Sequence, residues 1–395
     1  MHLTTATKAR NALWLMFFVM GVVSMAWVPR IPEIKTANGL SDSQFGLVLV
    51  ASSVGAIFGA QLAGRLIHRF GSRPVMFVSS VIMPTGVVIL GVAGNWVFLV
   101  VGLFVMGFAY AALDVGGNAQ AVAIEKHLSK GYMASFHGMW SVGTLSTTLI
   151  GASVAVYFNP MQNLVGVAFV GFLIFLYATR QLLDPSLDGH KGSDGQEHGN
   201  SVPWFALLTL PLWAMGIGAA ASMVAEGAAA DWGALLLRDH MGIGVGFYAT
   251  AFATFAVAMI LSRFLADRWL DRFGPYLVIR YFGIVGGLSW GASILLGVWL
   301  SSNNQLLALV VVNTGFFLAG VAIGPMFPAF MLGAAKIKGI APSIGIARVG
   351  VISIGAYFVG PTLVGVLSDL ITLPLAMMYP AMALVLAGFL ARALR

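Results

Sequence analysis

Long apolar runs alternate with short polar breaks along this chain. Twelve apolar segments stand out, near 11–28, 44–67, 75–93, 96–123, 132–158, 161–179, 203–225, 243–266, 277–300, 305–332, 341–368 and 373–391. Most hold the roughly 20 residues that a helix needs to cross a hydrocarbon core. The pattern therefore predicts twelve membrane-spanning helices. Lys8 and Arg10 precede the first, as in a secretory leader. That segment is long, however, and ends in Trp27-Val28-Pro29 rather than at a small-residue cleavage site, so it reads as a retained helix. One extended polar stretch interrupts the series: RQLLDPSLDGHKGSDGQEHGNS, residues 180–201. It has no apolar periodicity and reads as a flexible cytoplasmic linker, its histidines solvated rather than metal-bound. The expected organisation is a six-helix half over 1–179, a linker over 180–202 and a second six-helix half over 203–395.

Composition supports this. Apolar residues make up 59% of the chain and charged residues 9%, against about 25% charged in an average soluble domain. So few charges cannot cover a water-facing surface, which implies an all-α integral membrane protein. The 48 glycines suit close helix packing in lipid. The absence of cysteine excludes disulfides and thiolate metal sites. No phosphate-cradling loop, metal-ligand cluster or triad spacing is present, which argues against an enzyme, an ATP-driven pump and a bound cofactor. The net charge of +7 raises the question of nucleic acid, but the distribution of the charge points to topology. With the N-terminus inside, seventeen of the 21 Lys and Arg fall on the cytoplasmic side. Arg30, Lys35 and Arg238 fall outside, and Arg348 lies within a span. That bias predicts a multi-pass protein of the cytoplasmic (inner) membrane with both termini cytoplasmic.

A repeat divides the chain. LAGRLIHRFG at 62–71 returns 203 positions later as LADRWLDRFG at 265–274, with six positions identical. The phrase follows the second span of each half. GFAYAALDVGG from Gly107 is echoed by GFFLAGVAIGP from Gly315 in the fourth span of each half. The chain reads as a duplication. A 6+6 repeat with this basic phrase resembles the major facilitator superfamily, whose signature there is roughly G-x-L-a-D-r-x-G-r-k. The first copy runs Gly64-Arg65-Leu66-Ile67-His68-Arg69-Phe70-Gly71-Ser72-Arg73, with His68 where the family usually has Asp, whereas the second keeps Asp267 and Asp271. LDVGGNAQ at 113–120, FHGMWSVG at 136–143 and EGAAADW at 226–232 resemble the fucose-permease-like branch.

The resemblance implies two bundles that rock about a site near the bilayer midplane. It also implies a cytoplasmic latch formed by Arg65, Arg69, Asp267, Arg268, Asp271 and Arg272. Anchoring to anionic headgroups is the plainer role for the arginines. With His68 in place of Asp, the N-terminal latch is expected to be weaker or pH-sensitive. The expected partners are a small-molecule substrate, protons and the lipid bilayer, not nucleic acid, and the chain is expected to act as a monomer.

An ionisable residue inside a span is costly, so it marks a functional candidate. Asp114 in the fourth span and Arg348 in the eleventh are the two such charges. Burial disfavours an ionised carboxyl, which suits a group that must take up and release protons. The fucose-permease-like resemblance puts a proton-coupling acid on the fourth span, and Asp114 matches it. The alternative is a static polar lock, with Asp114 paired to Arg348 or to an Asn. Asn118 shares Asp114's helical face, whereas Gln120 lies off it. His137 and Ser141 sit four apart in the fifth span, with Trp140 beside them. An indole stacks on a sugar ring, and Asn, Gln and His bond hydroxyls, so the set suits a small polyol or sugar. Each residue is also ordinary helix glue or an interfacial aromatic. Asn313 and Tyr357 are further candidates to line the cavity, with helix packing as the alternative. Glu226, Asp231 and Trp232, with Arg30 and Glu33, are expected at an outer gate.

The reading is a proton-coupled secondary transporter taking up a small polar, sugar-like solute. One rival is proton-driven efflux of amphipathic compounds. Antiporters of the superfamily often carry G-x(3)-GP-x(2)-GG in the fifth span, where this chain has SVGTLSTTLIGAS without the Gly-Pro. A second rival is a sensor or scaffold without flux.

Overall fold

The computed structural model describes residues 2–130, 132–188, 210–334, 336–337 and 342–395. Its helices are α1 (His2–Met25), α2 (Ile31–Ala37), α3 (Asp42–Phe70), α4 (Ser72–Gly91), α5 (Trp96–Leu128), α6 (Met133–Val154), α7 (Pro160–Thr179), α8 (Leu210–Met241), α9 (Thr250–Phe273), α10 (Pro275–Ser301), α11 (Gln305–Ile323), α12 (Met326–Ala334), α13 (Pro342–Leu370), α14 (Leu373–Ala376) and α15 (Met378–Leu390). Every predicted span finds a helix. The tenth is divided between α11 and α12 at Gly324-Pro325, and the twelfth between α14 and α15 at Met377. Among the described residues, nine helical stretches are long and apolar enough to cross a membrane, and shorter apolar helices add Thr250–Ala266 and Val359–Leu370. The protein is an all-α, twelve-span membrane protein.

The chain folds as two compact units. One comprises Met1–Leu40 and Val48–Gly199, the other Ser41–Leu47 and Asn200–Arg395. In the first, α1 packs on α6, α4 on α5 and α7. In the second, α8 packs on α13, α10 on α11 and α15, and α9 on α11. The second unit also takes in the first turn of α3. There the Asp369 carboxylate accepts the backbone N–H groups of Asp42 (3.0 Å) and Ser43 (3.1 Å), and Gly46 O accepts from the Thr362 hydroxyl at 2.9 Å.

The repeated phrase has a shared geometry. Gly71 (φ +85°) and Gly274 (φ +79°) hold positive-φ conformations that other residues rarely adopt. Their N–H groups close the preceding helices on Ile67 O (2.8 Å) and Leu270 O (3.0 Å), and α4 and α10 start at the next residue. The Arg69 guanidinium lies 5.0 Å from the Phe70 ring centre, and that of Arg272 lies 5.2 Å from Phe273's. In each unit, then, Arg-Phe-Gly is a one-residue reversal between two spans. The fourth-span echo also has a packing basis. A Cβ on Gly107 would sit 1.9 Å from Ser52 O, and one on Gly320, which aligns with Ala112 rather than with Gly107, would sit 2.2 Å from Phe255 O. Backbones touch at both places, so neither position admits a side chain.

The start of the expected flexible linker is fixed in place, which corrects the sequence reading for Arg180–Asp188. Leu182, Leu183 and Asp188 are buried. Asp188 Oδ2 accepts both the Ser72 N–H and hydroxyl at 2.7 Å, so a carboxylate caps the start of α4. Arg73 donates to Thr179 O (3.2 Å) and Arg180 O (2.7 Å) and pairs with Asp184. The apolar Leu pair and these carboxylates convert a polar stretch into a strap across the ends of α4 and α7. The remainder of the expected linker, 189–202, lies outside the described residues.

Candidate functional site

The first unit carries the strongest candidate group. Asp114 lies on α5, a 33-residue helix. The helix starts where the Asn95 side chain accepts the N–H groups of Val97 (3.0 Å) and Phe98 (3.3 Å). Asp114 is fourteen residues from its end, or about 21 Å. Glycines beside it bring neighbours close, since a Cβ would meet Met76 Cγ at 2.5 Å from Gly116 and Phe17 Cε2 at 3.0 Å from Gly117. One helix face is thereby packed shut, while Asp114 and Asn118 stay half-buried.

A polar chain leads away from this carboxylate. Asn118 Nδ2 donates to Asp114 Oδ2 at 3.2 Å, across the i,i+4 spacing. His137 Nε2 on α6 lies 3.1 Å from Asn118 Oδ1. As the amide oxygen can only accept, Nε2 carries the proton in this arrangement. The Phe17 ring meets the imidazole edge-on, with centroids 5.1 Å apart. His137 is exposed, so the chain runs from a half-buried carboxylate through an amide to an accessible imidazole. A carboxylate and an imidazole are both proton-accepting groups, the amide between them positions rather than conducts, and the set offers hydroxyl-binding atoms at its open end.

Trp140 lies on α6, one turn beyond the imidazole. Its backbone is pinned to α1: a Cβ on Gly21 would sit 2.2 Å from Trp140 O, and one on Gly143 would sit 2.0 Å from Phe18 O. Its indole N–H is buried with no acceptor among the described residues. Leaving a donor unpaired in this way costs about 1–3 kcal/mol unless something binds to it. The Ser141 hydroxyl turns back to His137 O at 3.3 Å.

Other candidates have structural partners. Gln120 is fully buried, its Nε2 donating to Ser72 Oγ (2.8 Å) and Leu183 O (3.0 Å) and its Oε1 accepting the Leu183 N–H (3.0 Å). It ties the strap to α5 and has no group left for a ligand. Asn313 donates to Thr250 Oγ1 (3.0 Å) and accepts from Thr254 Oγ1 (3.2 Å), joining α11 to α9. Arg30 is 1% exposed, lies 3.4 Å from Glu33 Oε1 and donates to Phe158 O. The side chains of Tyr357 and Asp267 lie outside the described residues. Arg65, Arg69, Arg268, Asp271 and Arg272 are exposed, in the last turns of α3 and α9.

The structure moves three residues from the expected outer rim into the body of a helix. The helix α8 does not stop at residue 225 but runs to Met241. Glu226 and Asp231 therefore lie fifteen and ten residues inside its end, about 22 and 15 Å. Trp232 is fully buried against Phe45, with ring centres 5.6 Å apart. The Ala- and Leu-rich run between and after the two acids favours helix and carries it on. Arg348 is half-buried near the start of α13, six residues or about 9 Å in.

Sequence reasoning missed Arg263. It was counted among the cytoplasmic cations because the eighth span was expected over 243–266. That helix starts at Thr250 and ends at Phe273, so Arg263 is mid-helix, with Nη2 3.5 Å from Glu226 Oε2. The signal was available in the repeat. Aligning the two copies on their Arg-Phe-Gly turns puts Arg263 opposite Ala60, well inside α3.

Twelve apolar helices in two bundles, with polar groups held inside helices of each, define a polytopic membrane protein. The sequence profile of the Major Facilitator Superfamily matches residues 13–339, and the chain belongs to that family of transporters. It is 28% identical to an uncharacterized transporter, y4wD, of Sinorhizobium fredii, over 96% of each chain. It is 27% identical to Membrane protein MosC of Rhizobium meliloti, over 93% of this chain and 86% of that one. Among solved structures it is similar to a mutant of the nucleoside transporter NupG, with a TM-score of 0.80, 14% identity, and coverage of 98% of this chain and 99% of the other. At that identity the likeness concerns the fold alone.

Proposed function

We propose that this transporter takes up a small polar, sugar-like solute together with protons, by alternating access across the cytoplasmic membrane, with both termini inside. The observation that carries the reading is the Asp114–Asn118–His137 chain, a carboxyl group at mid-helix joined through one amide to an accessible imidazole. A charge at that depth is costly, and a titrating role accounts for its presence. The unpaired Trp140 indole N–H, one helical turn along α6 from His137, supplies a donor and an apolar ring face, the pair of features that a sugar uses. Asp114 is the proton carrier in this reading. Asn118, His137 and Trp140 contact the solute, and Gln120 and Asn313 hold helices together.

A stability screen of the purified protein in detergent tests the substrate class. Neutral hexoses and hexitols should raise the melting temperature, and Trp140→Ala should abolish the rise. Stabilisation by lipophilic cations alone, with no effect of any sugar or polyol, would replace this reading with the efflux one.

A further inference from the structure

The second unit holds a charge constellation that the proton chain does not use. Arg263 on α9 and Glu226 on α8 meet through one contact of 3.5 Å, near the limit of an ion pair. Their side chains are 38% and 19% exposed, so the guanidinium keeps most of its N–H groups available. Arg263 lies thirteen residues after the start of α9 and ten before its end, about 19 and 15 Å. A guanidinium inside a span is costly in hydrocarbon, and such groups almost always face the bundle interior or a water-filled cavity.

Besides Glu226, α8 carries Asp231, Arg238, Asp239 and His240, α9 carries Arg268, Asp271 and Arg272 in its last turns, α10 carries Tyr276, Arg280 and Tyr281, and the other helices packed against α8 carry further charged and titratable groups. Arg348 and Asp369 are on α13, Tyr379 is on α15, and Asp231 is five residues along α8. Gly216 meets Ile352, and Gly360 meets Val224, which sets the register of α8 against α13. In that register Arg348 lies level with residue 212, about 20 Å from Glu226 along the axis, and Asp369 about 10 Å beyond it the other way. Among the described residues, Arg263 is the cation within ion-pair distance of Glu226.

We propose that Arg263 binds an anionic group of the transported solute in exchange for Glu226, so that the solute is a polyhydroxylated carboxylate whose charge is balanced by one proton on Glu226, beyond the proton assigned to Asp114. This rests on the sugar-like reading above and adds a charge to it. In the empty carrier the guanidinium and the Glu226 carboxylate sum to zero. A solute carboxylate that takes the guanidinium leaves Glu226 as an uncompensated anion unless that group accepts a proton from the side of entry. With the proton bound, cation, neutral acid and solute carboxylate again sum to zero. Empty or loaded, the Arg263–Glu226 pair then presents the same net charge to the low-dielectric interior, which spares it the cost of an unpaired buried ion. The weak single contact fits a pair that must separate in every cycle. A static lock would be expected to be bidentate and closed to water.

Gluconate and sorbitol test this, since they share the hydroxylated chain and differ at the carboxylate. Binding to the full-length protein in detergent would be measured by calorimetry at about pH 5.5 and about pH 7.5. On going from the higher to the lower pH, gluconate should gain about tenfold more affinity for the wild type than sorbitol does. Glu226→Gln should bind gluconate at the higher pH as the wild type does at the lower. Arg263→Gln leaves Glu226 unpaired, so Glu226→Gln/Arg263→Gln is the folding control. Both variants should bind gluconate no better than sorbitol. Gluconate binding that is independent of pH, or a preference that survives loss of Arg263, would overturn the proposal. Sorbitol bound and gluconate no better would sink the anion site alone. Neither ligand bound would sink the sugar-like reading as well.

Discussion

Trp140 tests the site at the scale of a single atom. Its indole N–H is buried with no acceptor among the described residues, one helical turn along α6 from the accessible His137. Trp140→Phe keeps the ring and removes the donor. It should weaken sugar binding by about 1 kcal/mol, roughly fivefold, with little change in melting temperature. An unchanged affinity in calorimetry would remove Trp140 from the site. Gly71 and Gly274 supply a second comparison. Both hold φ near +80°, so Ala at either should cost about 1–3 kcal/mol. Gly71→Ala should cost more, because its Cβ would also press on Pro185 Cβ at 2.7 Å, whereas nothing lies within 4 Å of the Gly274 position. Thermal melts of the two variants check the order. Asp114, Asn118 and His137 were legible in the sequence because ionisable and amide groups are rare in spans and i,i+4 spacing is fixed by the helix. The role of Gln120 was not legible: its partners Ser72 and Leu183 are 48 and 63 residues away, and only the folded chain brings them together.

At the scale of the element, the twelve helices were readable from hydropathy, but their ends were not. Polar residues mark a span's end only if nothing satisfies them inside it. Glu226 looked like such an end, yet Arg263 pairs with it and α8 continues for fifteen residues more. The same error, repeated at α9, hid Arg263 among the cytoplasmic cations. The strap at 180–188 was missed for a related reason. Its composition is that of a solvated linker, while Asp188 caps α4 and Gln120 holds Leu183. Gln120→Leu should therefore lower stability by about 2–3 kcal/mol, since Leu183 N–H loses its acceptor in a buried setting. Sugar binding by the folded fraction should be unchanged. A loss of binding without a loss of stability would return Gln120 to the substrate site.

At the scale of the molecule, the duplication is explained by geometry. Arg-Phe-Gly reverses the chain in one residue in both units, and a glycine in each fourth-span echo meets a neighbouring backbone. The polar cargo of the two units differs. One has a carboxylate, amide and imidazole in series; the other has a weak Arg–Glu pair. Such a division fits a carrier in which duplicated scaffolds have acquired separate tasks, coupling through Asp114 in the first and recognition of charge, with its compensating proton, in the second. The most direct measurement is made in proteoliposomes loaded with a pH-sensitive dye, using whichever hexose or hexitol stabilises the protein most. Added outside without an imposed gradient, that solute should acidify the lumen in wild-type vesicles, and Asp114→Asn should abolish the acidification. Solute uptake without any change in lumenal pH, or acidification undiminished in Asp114→Asn, would contradict the account.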